Sequence, residues 1–167
     1  MTLAAVLEAY AGYERRALLL YRRLSERFAD DPVSSRLWRA MSDAEAGHFT
    51  TLQLATDRLA MAGGAVTEVA VDIAAIEKGL TALEQAVAAT ALSAALAAQL
   101  TLEWEEAEIA RITALLPSIP EPVRARVRTG LLGEIDAHYG DLRALLAAAG
   151  RGDLDGRVHA LRARAAP

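Results

Sequence analysis

Residues 10–48 read YAGYERRALLLYRRLSERFADDPVSSRLWRAMSDAEAGH, and this stretch decides the fold. It contains a long helical segment carrying Glu14, turn residues at 30–32, and a second helical segment carrying Glu45 and His48. Residues three apart on a helix point the same way, so Glu45 and His48 share a face. Because the connection is short, the two helices pack as an antiparallel hairpin, with Glu14 opposite that face. The stretch therefore predicts a hairpin that presents three metal-type ligands to one place.

The composition favours a single all-α domain. The chain has 167 residues, of which 53% are hydrophobic but only 5% aromatic, and the excess is alanine and leucine, which favour helices over strands. The absence of cysteine excludes disulfides, thiolate nucleophiles and iron–sulfur clusters within the chain. With 22 acidic and 18 basic residues and no long block of one sign, the chain gives no reason to expect a nucleic-acid partner.

Capping and helix-breaking residues predict four main helices in two antiparallel hairpins joined by a long crossover. The predicted ranges are Thr2 to Phe28, Pro32 to Met61, a crossover from Gly63 with a short helix near Ile73 to Leu83, a third helix ending at about Leu116, and a fourth from Pro122 to Ala149. Residues 1–150 then form a four-helix bundle, and residues 151–167 a tail or short helix.

The buried stripe of each hairpin helix follows the alternating four- and three-residue steps of a bundle seam. The first stripe is Leu3, Leu7, Tyr10, Glu14, Ala17, Tyr21, Leu24 and Phe28, and the second is Leu37, Met41, Glu45, His48, Leu52, Ala55 and Leu59. Glu14 on the first helix, and Glu45 and His48 on the second, thus occupy core positions.

An internal repeat predicts the register of the third helix, where four glutamates crowd together. Glu14 and Glu45 are 31 residues apart, and so are Glu103 and Glu134. Aligning the Pro-Val pairs at 32–33 and 122–123 places His48 on His138. In this register Glu103, and one turn later Glu106, face the site, whereas Glu105 and Glu108 point elsewhere.

The predicted inward set has the ligand composition of a dinuclear carboxylate site in a helical bundle. It consists of Glu14, Glu45, His48, Glu103, Glu106, Glu134 and His138. Glu45 and Glu134 are placed to bridge two divalent ions, of iron or manganese, and each histidine to cap one. The alternatives are protonated carboxylates or, for Glu14 alone, a buried ion pair, although no arginine lies on these stripes. Tyr21 is predicted either to serve the site or to be a buried tyrosine bonded to the backbone.

Two features of the sequence bear on where the protein is located in the cell. Residues 85–102 carry no charge and approach membrane-spanning length, but alanines, threonines and glutamines dilute their apolarity, which favours an interior helix. Glu8 interrupts the N-terminal apolar run, and no basic region of a signal peptide precedes it. We expect a cytoplasmic protein without a membrane partner.

The chain resembles the ferritin-like superfamily, and within it the rubrerythrins. The residues that carry the resemblance are Ala11-Gly12 before Glu14, Tyr21, Glu45-x-x-His48, Glu103-x-x-Glu106 and Glu134-x-x-x-His138. The resemblance spans residues 3–145 and implies a ferritin-like four-helix bundle with two iron ions. Two departures stand out: Ala137 occupies the position of a family glutamate, and the 167 residues contain no cysteine, whereas rubrerythrins typically carry a four-cysteine rubredoxin domain.

By this resemblance the chain is expected to reduce hydrogen peroxide, or to oxidise Fe(II) with dioxygen or peroxide, using electrons from an external donor. Glu106 is expected to act as a mobile ligand or proton carrier and Tyr21 to assist catalysis, and the chain to form a homodimer. Two other functions remain open: iron binding for storage without turnover, and a helical interaction module with a vestigial metal site.

Overall fold

The chain is helical throughout the part that the structure describes. The structure is a computed structural model that describes residues 1–61, 68–133 and 135–165, with the backbone only at Ile135, Asp136, His138 and Ala165. Its α-helices are α1 (Leu3–Arg27), α2 (Pro32–Met61), α3 (Ile73–Ala88), α4 (Ala94–Leu115), α5 (Val123–Leu132), α6 (Ile135–Ala148) and α7 (Asp155–Ala165), with 3₁₀ turns at Leu116–Ser118 and Gly152–Leu154. The all-α prediction is confirmed.

Short polar side chains begin several of these helices. The hydroxyl of Thr2 accepts a hydrogen bond from the Ala5 amide at the start of α1, and the carboxylate of Asp31 accepts bonds from the first amides of α2. Asp72 and Ser93 cap α3 and α4 in the same way. Each cap satisfies an amide that has no partner within the helix, which is why the helices begin where they do.

Helices α1 and α2 form the predicted antiparallel hairpin. They share the most extensive helix–helix contact among the described residues. Ser25 donates from Oγ to the Ser35 carbonyl (2.8 Å), and Ser42 donates from Oγ to the Leu18 carbonyl (3.0 Å). Later residues of α2 thus lie beside earlier residues of α1, as in an antiparallel pair. Both predicted stripes face inward, with Glu14 and Glu45 buried among their apolar neighbours.

The crossover returns beside the N-terminus and places α3 across α1. The Val69 amide donates to the Met1 carbonyl (3.0 Å), and Glu68 forms an isolated β-bridge with Thr2. Arg16 then bonds to Glu84 (2.8 Å) and to Glu77 (2.7 Å), which fastens α3 to the hairpin. The predicted short helix in the crossover is confirmed as α3.

The predicted fourth helix, from Pro122 to Ala149, is wrong as one continuous element, because α5 ends at Leu132 and α6 begins at Ile135. The Gly133 amide still donates to the Thr129 carbonyl, as in a helix. A Cβ at Gly133 would lie 2.2 Å from that carbonyl oxygen, so only glycine fits at this position.

Helix α7 packs on α4 and α6 and adds Val158 and Leu161 to the core, and the 3₁₀ turn before it adds Leu154. Arg157 bonds to both carboxylate oxygens of Glu106 and so joins α7 to α4. Among the helices of the described ranges, none combines the length and the apolarity needed to span a bilayer, and residues 85–102 are divided between α3, a connection and α4.

Gly130 allows α5 to approach α2 closely, and this makes a prediction. A Cβ at Gly130 would lie 2.4 Å from Oγ1 and 3.0 Å from Cβ of Thr51. Gly130→Ala is therefore expected to destabilise the fold by about 1–3 kcal/mol through overpacking. Gly140→Ala in α6, where a Cβ meets nothing within 4 Å, is the matched control and is expected to stabilise by about 0.5–1 kcal/mol. Thermal and urea unfolding followed by circular dichroism measure both, and equal effects would contradict the close packing.

Candidate metal centre

Four side chains from three helices converge in the interior. Glu14 comes from α1, Glu45 and His48 from α2, and Glu108 from α4, and one potential ligand atom of each lies within 4.8 Å of all the others. The His48 Nδ1 atom lies 3.0 Å from a Glu45 oxygen, 3.7 Å from a Glu14 oxygen and 3.8 Å from a Glu108 oxygen. We call Glu14, Glu45, His48 and Glu108 the interior cluster.

The carboxylates of the interior cluster are buried and only partly satisfied. Glu14, Glu45 and Glu108 expose 2%, 0% and 4% of their surface. Within the described ranges, one oxygen of each has no hydrogen-bond partner, and no arginine or lysine forms an ion pair with any of them. An ionised carboxylate buried without a partner costs several kcal/mol. The cluster therefore requires either protons or a cation.

The pKa values indicate how the cluster behaves without a cation. Burial, reinforced by the charge of Glu14, raises the pKa of Glu45 and of Glu108 well above the usual range. Burial also opposes ionisation of Glu14, but hydrogen bonds with Glu45 and His48 outweigh it and lower its pKa. Burial lowers the pKa of His48, yet the neighbouring carboxylates outweigh burial and raise it to about 9. Protons are thus held within the cluster at neutral pH.

The donor set fits a divalent transition metal. Carboxylate oxygens and one imidazole nitrogen are ligands that iron, manganese and zinc accept, and the oxygens without partners supply lone pairs that nothing else in the described chain uses. The interior cluster could therefore hold a metal ion.

Tyr21 and Glu105 lie beside the interior cluster. Tyr21 donates a hydrogen bond of 2.6 Å from its hydroxyl to a carboxylate oxygen of Glu105, and both side chains are buried. Burial, followed by the charges of Glu105 and Glu45, raises the pKa of Tyr21 well above its usual range. Tyr21 is thus a protonated donor aimed at a carboxylate next to the cluster rather than at the backbone.

The structure corrects the predicted register of the third helix. Glu103 and Glu106 do not face the interior: Glu103 is exposed and accepts a bond from Gln99, and Glu106 is held by Arg157 of α7. The glutamates that do face inward are Glu105 and Glu108, two residues further on.

The two hairpins are not copies of one another. Four residues separate α1 from α2, whereas seven, including the 3₁₀ turn Leu116–Ser118, separate α4 from α5. An alignment of the two halves therefore does not transfer the register of α1 to α4. In the structure the buried seam of α4 runs through Thr101, Glu105, Glu108, Ile112 and Leu115.

Two predicted ligands lie outside the described residues. Glu134 is not described, and of His138 only the backbone is described, within α6. Their assignment as ligands stays a prediction.

A cavity of about 450 Å³ reaches the interior cluster from the side of α5 and α6. His48, Glu105 and Glu108 form part of its wall, and Asp43 and Asp141 also line it. Ala137 lines it as well. The cavity therefore extends to the position where the resemblance implies a glutamate. The cluster is buried but reachable by a small molecule.

Comparison of the chain with protein-family models, with curated proteins and with solved structures gives no match.

Proposed function

We propose that this chain is a ferritin-like, rubrerythrin-like di-iron oxidoreductase that reduces hydrogen peroxide. The observation that carries the proposal is the interior cluster, in which three buried carboxylates and an imidazole converge and no arginine or lysine of the described ranges pairs with the carboxylates. Glu14, Glu45, His48 and Glu108 would hold the first ion. Glu105, on the same face of α4 as Glu108, would serve a second ion together with Glu134 and His138.

The residues named above would hold two ferrous ions, which would supply the two electrons that, together with two protons, reduce one hydrogen peroxide to two water molecules. The carboxylates balance the positive charge, and burial keeps the reaction away from bulk water. Tyr21 holds a proton on its hydroxyl oxygen, 2.6 Å from Glu105, and so provides a proton donor next to the site. The cavity beside His48 admits the oxidant.

An acidic entrance favours ferroxidase activity as the second candidate. Asp43 and Asp141 line the cavity that leads to His48, and carboxylates at an entrance attract cations such as Fe(II). In that case Fe(II) is the substrate as well as the resident metal, and dioxygen or peroxide the oxidant. An external donor would be needed for peroxide turnover but not for this reaction.

Anaerobic Fe(II) loading followed by stopped-flow mixing with hydrogen peroxide tests the proposal. We expect the bound iron to be oxidised at least about tenfold faster than free Fe(II), and Glu45→Ala to lose this acceleration because it removes a fully buried ligand. Glu106→Gln, which changes a carboxylate outside the interior cluster, is the control and is expected to react like the parent chain. Oxidation no faster than that of free Fe(II), or equal rates for the parent chain and Glu45→Ala, would reject the proposal.

A further inference from the structure

A second cavity, of about 470 Å³, lies on the other side of α4 from the one that leads to His48. Tyr10 of α1, Arg111 of α4 and the crossover residues 68–72 line it. Its volume is in the range of pockets that hold small organic ligands. No residue of the interior cluster lines this cavity, so the proposed metal site does not account for it.

Arg111 is the most informative residue of this cavity. It is partly buried, and within the described part of the chain its guanidinium has neither a hydrogen bond nor an ion pair. Its guanidinium lies over the ring of Trp104, whose centroid is 4.7 Å from Cζ. Burial lowers the pKa of Arg111, and the charges of Glu108 and Glu14 act on it only from beyond ion-pair distance. Its five N–H groups can therefore donate to an acceptor that enters the cavity.

The rest of the wall has two kinds of surface. Val69, Val71 and Leu115 are apolar and pack against the core, whereas Arg111 and the hydroxyl-bearing Tyr10 are hydrogen-bond donors. A ligand that satisfies both surfaces has an anionic head and an apolar body. A guanidinium fork matches a carboxylate with two parallel hydrogen bonds.

The charges at the rim of the cavity favour a ligand with a single negative charge. Glu68 and Asp72 also line it, and both are exposed. Asp72 is occupied as the cap of α3, while Glu68 adds a negative charge that would repel a multiply charged phosphate. One guanidinium balances one carboxylate.

We propose that this cavity binds a small amphiphilic monocarboxylate, with its head on Arg111 and Tyr10 and its apolar body against Val69, Val71 and Leu115. The site does not depend on the metal proposal, because its lining includes no residue of the interior cluster.

Calorimetric titration of the full chain with octanoate tests the proposal, with acetate and octan-1-ol as probes that lack the body or the charge. We expect octanoate to bind at least about tenfold more tightly than either probe, with the same affinity before and after metal removal with a chelator. Arg111→Gln is expected to weaken octanoate binding by about tenfold or more, because it removes a charge-assisted pair. Arg22→Gln, which changes an arginine with a side chain 70% exposed, is the matched control and is expected to bind as the parent chain does.

Ala114→Phe provides a second variant that keeps the charge, because Ala114 lines the cavity and a phenyl ring would occupy it. Weaker octanoate binding in this variant, in a chain whose Arg111 is intact, supports the site even if Arg111→Gln fails to fold. Absence of octanoate binding by the parent chain, or unchanged affinity in a folded Arg111→Gln or Ala114→Phe variant, overturns the proposal.

Discussion

A Glu108→Ala variant is expected to lose at least about 100-fold in affinity for Fe(II) or Mn(II), whereas Glu103→Ala is expected to stay within about twofold of the parent chain. The two glutamates lie five residues apart on the same helix, so the pair is matched in residue type and helical context. Glu108 is 4% exposed and belongs to the interior cluster, whereas Glu103 is exposed and bonded to Gln99. Equilibrium dialysis under anaerobic conditions, with metal analysis of the protein fraction, measures both.

This comparison also separates the two registers of α4. If Glu103→Ala lost the metal and Glu108→Ala kept it, the face of α4 that the internal repeat predicted would be the functional one, and the observed packing of Glu105 and Glu108 would not describe the metal-bound protein. Circular dichroism of both variants controls for loss of fold.

The metal-free protein is expected to become less stable as the pH rises from 5 to 9. His48 has its pKa raised from 6.5 to about 9, so its contribution to stability is complete below pH 6.5 and is lost as the pH rises through 9. Glu45 and Glu108 act in the same direction, because their raised pKa values favour the protonated folded state and this advantage disappears at high pH. The lowered pKa of Glu14 matters only below about pH 4.5, outside this range.

The expected size follows from His48 alone. A rise in pKa from 6.5 to about 9 corresponds to about 3 kcal/mol, or about 6–12 °C in Tm for a chain of this length. Calorimetry of chelator-treated protein across this range measures the change. His48→Gln is expected to remove about this much of the pH-dependent change while the contributions of Glu45 and Glu108 remain, and His159→Gln, which changes an exposed histidine, is expected to leave the profile unaltered.

Bound metal is expected to reverse the trend, because a cation binds the deprotonated ligands and so stabilises the fold more as the pH rises. The profiles with and without Mn(II) should therefore diverge between pH 5 and 9. Parallel profiles would mean that protons and metal do not compete for the same side chains.

The first hairpin could be predicted closely from the sequence. Its stripes contain large apolar residues on most turns, its connection is short, and Asp31 followed by Pro32 is typical of a helix start. These are local signals, and they place Glu14, Glu45 and His48 together without any knowledge of the rest of the chain. The structure brings these three residues together as predicted.

The second half could be predicted only in part, because the apolar pattern of α4 does not single out one face. Alanine-rich helices such as α4 bury small residues on several sides, so their apolar stripe is indistinct, and four neighbouring glutamates fit more than one face. Ile112 and Leu115, the large residues near the end of α4, lie on the buried face together with Glu105 and Glu108, whereas the internal repeat predicted the other face. The end of α5 at Leu132 has no signal in the apolar periodicity, which continues into α6.

Because α1 and α2 pack closely as an antiparallel hairpin, the ligands of the interior cluster on these helices are held more rigidly than the ligand on α4. Glu14, Glu45 and His48 lie on the two helices with the most extensive mutual packing, and such units open least often in native-state hydrogen exchange. Glu108 lies on α4, whose contacts with α1 and α2 are far less extensive. An arriving ion would therefore meet three ligands already in place, and the adjustment that completes its coordination would be a small displacement of α4.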